Sequence, residues 1–201
     1  MRSLILPALL ACLSVGPAAA APELAELLKP CAECHGADGV ASQPGIPHLN
    51  GQSTPYTVAT LEAYLKGRRS SRVDRHIPPG LSAATLNAIA VHYEKIKATR
   101  AKQVTDADKV GKAAAIYHSR CADCHPDNGR DVDKDSPLLA AQNLDYLTEQ
   151  IKDFARGKRS FPFMMDEAYR DLKDEDLEML AHFFASQDET APPSGKKKRK
   201  R

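Results

Sequence analysis

CAECH at residues 31–35 and CADCH at residues 121–125 are the places where residue type and spacing most directly prescribe chemistry. In each, two thiols are spaced to bond the two vinyl groups of one haem, and the histidine that follows at once can reach its iron. A CxxC alone also suits a redox dithiol or half a zinc site, and two together suit a four-thiolate zinc centre. The immediate histidine, present both times, favours covalent haem attachment. Cys31 and Cys34 with His35 form one expected site, and Cys121 and Cys124 with His125 the other. Two covalently bound haem c groups are thus the expected cofactors.

These motifs sit inside a longer repeat. At an offset of 90 residues Gln52 pairs with Gln142, Tyr56 with Tyr146, Leu61 with Ile151, Tyr64 with Phe154, and KGRRS at 66–70 with RGKRS at 156–160. After one inserted residue the match resumes at an offset of 91, GLSAATLNAIAVHY from Gly80 against DLKDEDLEMLAHFF from Asp171. A shared offset over such a length implies duplication of one unit.

Each unit reads as helical. A helix leads into each CxxCH, clearest in DADKVGKAAAIYHSR. A loop with Pro47 or Pro137 follows, then helices over about 54–66 and 144–156, a further loop and an amphipathic last helix. No stretch alternates as a strand would. The expected architecture is all-α, two tandem copies of one domain, at 21–100 and 101–190. Residues 99–105 read as the linker, and TAPPSG marks the end of ordered structure before a basic disordered tail, so that 191–201 lie outside the second domain.

Length and an apolar fraction of 42% suffice for one or two small packed domains. Charge divides by region. Residues 22–102 hold ten basic and seven acidic residues, 103–190 hold eleven and nineteen, and the last six, KKKRKR, are all basic. Residues 1–20 carry one basic residue, a short apolar run and small residues at Ala18 and Ala20, as a cleaved secretory signal would. Pro7, Gly16 and Pro17 argue against a membrane anchor. Lipidation at Cys12, in LLAC, is the alternative fate of the leader. Either way export to the periplasm is expected. The tail is read as solubilising disorder or as a contact for an anionic membrane surface or an acidic redox partner; no nucleic-acid partner is expected.

CAECHGADG, PHLNGQ, the Tyr-to-Gly-Lys-Arg helix of each half and MMDEAYRDLKDEDLEMLAHFF resemble the two-haem cytochrome c4 family, periplasmic electron carriers built of two class I cytochrome c domains. The resemblance covers roughly residues 24–188. It implies that Pro47 and Pro137 supply the carbonyl that orients each proximal histidine. It also implies that Met165, seven residues before Leu172, ligates the second iron in preference to Met164. Pro126 stands after His125 where the family usually has glycine.

The first half has no methionine after residue 1, so its site cannot be His/Met. His76 lies 41 residues beyond His35, as Met165 lies 40 beyond His125, and the one inserted residue accounts for the difference. His76 is therefore the expected distal ligand, against a reading as a surface loop histidine. His48 is expected to hydrogen-bond a propionate or backbone, His92 to pack, and His118 and His182 to be ordinary helix residues. Arg69 and Arg159 are either a solvated face or a link to a propionate or between domains.

The expected function is relay of single electrons between a protein donor and a terminal acceptor, with axial-ligand identity setting the potentials. Thioether sulfur favours ferrous iron and imidazole ferric iron, so the first site is expected to have the lower potential. The rival is a two-haem enzyme with an open sixth position at the first iron, acting on peroxide, nitric oxide or a sulfur oxyanion. Two-haem thiosulfate-oxidising enzymes use a cysteine ligand, and no cysteine is spare here beyond residue 20. A third class, an electron-supplying docking subunit, differs from the carrier only in its partner.

Overall fold

The computed structural model describes residues 23–73, 76–132, 136–161 and 165–190. The proposed leader with Cys12, Met164 and the KKKRKR tail lie outside them. The first unit contains α1 (Leu24–His35), α2 (Thr54–Leu65) and α3 (Ala83–Lys95). The second contains α4 (Ala107–Ile116), which runs into a π-helical turn (Tyr117–Cys121), a short turn α5 (Pro126–Gly129), α6 (Leu144–Ala155), α7 (Met165–Tyr169) and α8 (Asp174–Ala185). Among the described residues there is no strand, only an isolated antiparallel bridge between Arg69 and Arg159. None of the described helices is long and apolar enough to cross a membrane.

Local chemistry starts the paired helices in the same way. Ser53 accepts a hydrogen bond from the Tyr56 amide and Asn143 from the Tyr146 amide, 3.3 and 3.0 Å, so each side chain satisfies one amide that the first helical turn leaves unpaired. Each helix then ends one residue short of its expected boundary, before Gly67 and Gly157, which take φ of 64° and 68°. The repeat extends to the loops. Gly39 O accepts from the amides of Leu49 and Asn50, and Gly129 O from those of Leu139 and Ala140. A side chain at Gly39 would strike the Tyr93 ring, and one at Gly129 the Phe184 ring, so both loops lie directly on the last helix of their unit.

Packing differs between the units. In the second, α8 lies against α4 and α6, and Ala113, Tyr117, Leu147, Ile151, Leu177, Leu180, Phe183 and Phe184 belong to one continuous apolar cluster. In the first, α3 packs against α1 and α2 and buries Leu86, Ile89, Ala90 and Tyr93.

The two units interlock through polar side chains. Gln52 Nε2 donates to Leu138 O and Gln52 Oε1 accepts from Leu138 N, both 2.9 Å. Reciprocally, Gln142 Nε2 donates to His48 O at 2.9 Å and Gln142 Oε1 accepts from His48 N at 2.7 Å. Residues 99–105 are irregular, as expected of a linker, but they are fastened to both units. The Arg100 guanidinium donates to Asn50 O and to Ala140 O, and Gln103 donates to Gln142 O while accepting from the Leu144 amide.

Candidate haem sites

In the first unit CAECH is the last turn of α1, and it leaves Cys34 exposed, Cys31 half-buried and His35 buried. His35 is followed by Gly36 at φ 77°, where a side chain would collide with the Val40 carbonyl. That left-handed residue lets the chain turn back, and His35 Nδ1 then donates to Pro47 O at 2.9 Å. The carbonyl fixes the tautomer and leaves the other ring nitrogen available to a metal.

His76 comes to this place from the loop before α3. Its ring centroid lies 5.9 Å from that of His35 with the planes 24° apart, and Tyr64 sits edge-on to it at 4.9 Å. Two imidazoles that share one ion through ring nitrogens at about 2 Å each hold their centroids about 6 Å apart, so the pair fits one iron between them. His76 Nδ1 is buried without a hydrogen-bond partner. Burial, the neighbouring His35 and Arg69 all push its pKa down, and a neutral imidazole keeps the lone pair that a metal requires.

The second unit departs from this pattern at one residue. Pro126 occupies the position of Gly36, and its ring, fixed near φ of about −65°, cannot make the left-handed turn. Asp127 and Asn128 take φ of 53° and 57° instead, and Tyr117 braces the detour by donating to His125 O at 2.8 Å and accepting from the Asn128 amide at 2.7 Å. His125 Nδ1 is buried without a partner, so the Pro137 carbonyl does not play the part that the resemblance implied. Burial lowers the His125 pKa to about 4 and keeps it neutral. Burial first, then Cys124, raises the Cys121 thiol to about 11. Met165, half-buried, opens α7, and α7 packs against the turn that carries Cys121. Among the described residues no three His, Cys, Asp or Glu side chains converge on a metal position, so the four cysteines do not assemble a zinc centre.

The remaining candidates separate. His48 Nδ1 accepts from the Ala41 amide at 3.0 Å, a backbone contact, and burial, Arg100 and His35 bring its pKa to about 4. His92 packs edge-on to Tyr93, His118 is exposed beside Tyr117, and His182 accepts from the Asp106 amide. Arg69 is not a solvated residue: only 7% exposed, it donates across the units to Tyr146 Oη at 2.6 Å and Gln150 Oε1 at 2.8 Å and lies over the Tyr64 ring. Arg159 shares Gln150 and lies over Phe154. Burial opposes ionisation of Tyr56, but Arg159 and Arg69 outweigh it and bring its pKa down to about 8. Sequence reasoning missed Arg100 and the roles of Gln52 and Gln142. The two glutamines had a signal, a polar residue kept at the same place in both repeats.

Comparison with known proteins gives the family. Residues 108–184 match the family described as cytochrome C oxidase, cbb3-type, subunit III. Cytochrome c4 of Pseudomonas aeruginosa is 27% identical over 139 residues, 65% of this chain and 68% of that protein. A thiosulfate dehydrogenase electron acceptor of Thiomonas intermedia is 31% identical over 183 residues, 85% of this chain and 82% of that protein. The chain belongs to the two-haem cytochrome c4 family. The crystal structure of reduced cytochrome c4 from Pseudomonas stutzeri shares the fold, with a TM-score of 0.69 at 22% identity over 82% of this chain and 96% of that one. This cytochrome c4 relative is accordingly an all-α protein of two class I cytochrome c domains that carries two covalently bound haem c groups and transfers electrons.

Proposed function

We propose that this protein is a periplasmic carrier that takes single electrons from a thiosulfate-oxidising dehydrogenase and passes them to a terminal acceptor. The donor is inferred from similarity to the thiosulfate dehydrogenase electron acceptors of Thiomonas intermedia and Stutzerimonas stutzeri. Bound haem supplies the one-electron chemistry, and the chain's residues hold it and set its potential. Cys31 and Cys34 bond one group and Cys121 and Cys124 the other. His35 and His76 would hold the iron of the first, and His125 and Met165 that of the second.

The observation that supports this reading is the His35–His76 pair at 5.9 Å, which would place two imidazoles at the first iron, where Met165 would supply a thioether to the second. Two imidazoles favour ferric iron, and a thioether raises the potential. The first domain is therefore the entry point and the second the exit. Arg69, whose hydrogen bonds run to neutral partners among the described residues, is suited to a haem propionate as its counter-charge. The proposed domains are 21–100 and 101–190.

Spectroscopy of single variants tests the ligand sets. His76→Ala should convert the first haem to high spin and leave the second unchanged. Met165→Ala should abolish the weak sulfur-to-iron absorption of the second ferric haem. An unresponsive first haem would remove His76 from the site and favour the enzyme reading, in which the sixth position is open.

A further inference from the structure

We propose that Gln142, a residue of the second domain, is a positioning residue for His35 in the first, so that docking of the domains tunes the first haem. The inference rests on His35 being an iron ligand. It follows from one peptide group. The Pro47 carbonyl that accepts from His35 Nδ1 at 2.9 Å and the His48 amide that donates to Gln142 Oε1 at 2.7 Å are two ends of the same planar unit. Gln142 also donates from Nε2 to His48 O at 2.9 Å, so it grips residue 48 on both sides, and the residue is 3% exposed. Asn143 and Gln103 steady it in turn. The Asn143 amide donates to Gln142 Oε1, and Gln103 donates to Gln142 O.

This arrangement acts in two ways. It fixes the plane, and hence the direction, of the Pro47 carbonyl. It also polarises that carbonyl, because an amide that donates a hydrogen bond makes its own oxygen a stronger acceptor. A stronger acceptor at Nδ1 raises the basicity of the imidazole toward a metal and favours ferric iron. The two domains thus contribute together to one ligand.

The mirror clasp has no such reach. Gln52 holds both sides of Leu138, next to Pro137, but His125 Nδ1 has no partner, so the last link is open. The second domain therefore supplies an internal control. Gln52→Leu removes two interdomain bonds to Leu138, the counterpart of the two to His48 that Gln142→Leu removes.

The experiment uses the full two-haem protein and reads the His35 Nδ1 proton by NMR in the reduced state, together with the reduction potential of each haem. Gln142→Leu should shift that proton upfield, speed its exchange several-fold and raise the potential of the first haem. Gln142→Glu keeps an oxygen that accepts from the His48 amide and should shift the proton the other way. Gln52→Leu should leave it in place. A proton that ignores Gln142, or that responds equally to Gln52→Leu, would overturn the relay. His35→Ala separates this from the ligand assignment: if it abolishes the low-spin spectrum of the first haem while the Gln142 variants do nothing, the relay alone fails. If His35→Ala leaves that spectrum intact, the ligand assignment fails and the inference with it.

Discussion

In the second domain α4, α6 and α8 close on one apolar cluster, whereas in the first α2 buries no residue and α1 buries only His35. Buried polar side chains show the opposite distribution. Among the described residues His35, His48, Asn50, Gln52, Ser53 and Arg69 lie in the first domain, and Gln142 in the second. A single backbone plan thus supports two kinds of interior. The second is held by apolar contact, which needs no partner of particular geometry. The first is held by hydrogen bonds, several of them made to the second domain, and a buried polar group that loses its partner costs about 1–3 kcal/mol. The first domain is consequently the one whose interior depends more on docking.

Equivalent leucines give the largest contrast. Leu86 and Leu177 occupy the same position in the repeat, 3% and 1% exposed. Leu177→Ala should cost about 3–4 kcal/mol in denaturant unfolding, because it opens a hole in a continuous cluster. Leu86→Ala should cost nearer 2 kcal/mol, the low end for such a change, because its surroundings are less completely apolar. Equal losses would contradict the difference in interior.

Acid should act next most strongly, in the first domain through His48. His48 is held neutral by its acceptor role toward the Ala41 amide, with a folded pKa of about 4, below the unfolded value of about 6.5. Between these values the unfolded chain binds the extra proton, so stability is complete above about pH 7 and falls by about 2–3 kcal/mol as pH drops from about 6.5 to about 4. His48→Asn, which keeps an acceptor but cannot titrate, should flatten that part of a plot of unfolding free energy against pH.

The arginine pair should show the smallest difference. Arg69→Ala removes the donor to Tyr146 Oη, leaves Gln150 to Arg159 alone and should destabilise by about 2 kcal/mol, against about 1 kcal/mol for the half-buried Arg159→Ala. Thermal unfolding of the two variants side by side would decide it, and a larger loss at Arg159 would reverse the assignment.

Where sequence reasoning succeeded, the cause was local. Ser53 and Asn143 as caps and Gly67 and Gly157 as stops define α2 and α6 within a few residues of chain. It failed where the deciding partner lies far along the chain. Arg69 stays open in the sequence between a solvated face and a link to a propionate or between domains until Tyr146 and Gln150 are folded against it, and Arg100 reads as linker until Asn50 and Ala140 are in place. Pro126 was visible as a departure from the resemblance. Its consequence, a histidine without its carbonyl, depends on how the following loop is re-routed and cannot be counted off a sequence.

The central claim is that the two domains differ at the iron by one donor, histidine against methionine, and that this orders their potentials. A spectroelectrochemical titration of the wild-type protein beside His76→Met tests it most directly. The wild type should give two separated waves, with the bis-imidazole spectrum belonging to the lower. His76→Met should raise that wave toward the other and add a second sulfur-to-iron band. A single unresolved wave in the wild type, or a lower wave that His76→Met does not move, would contradict the account.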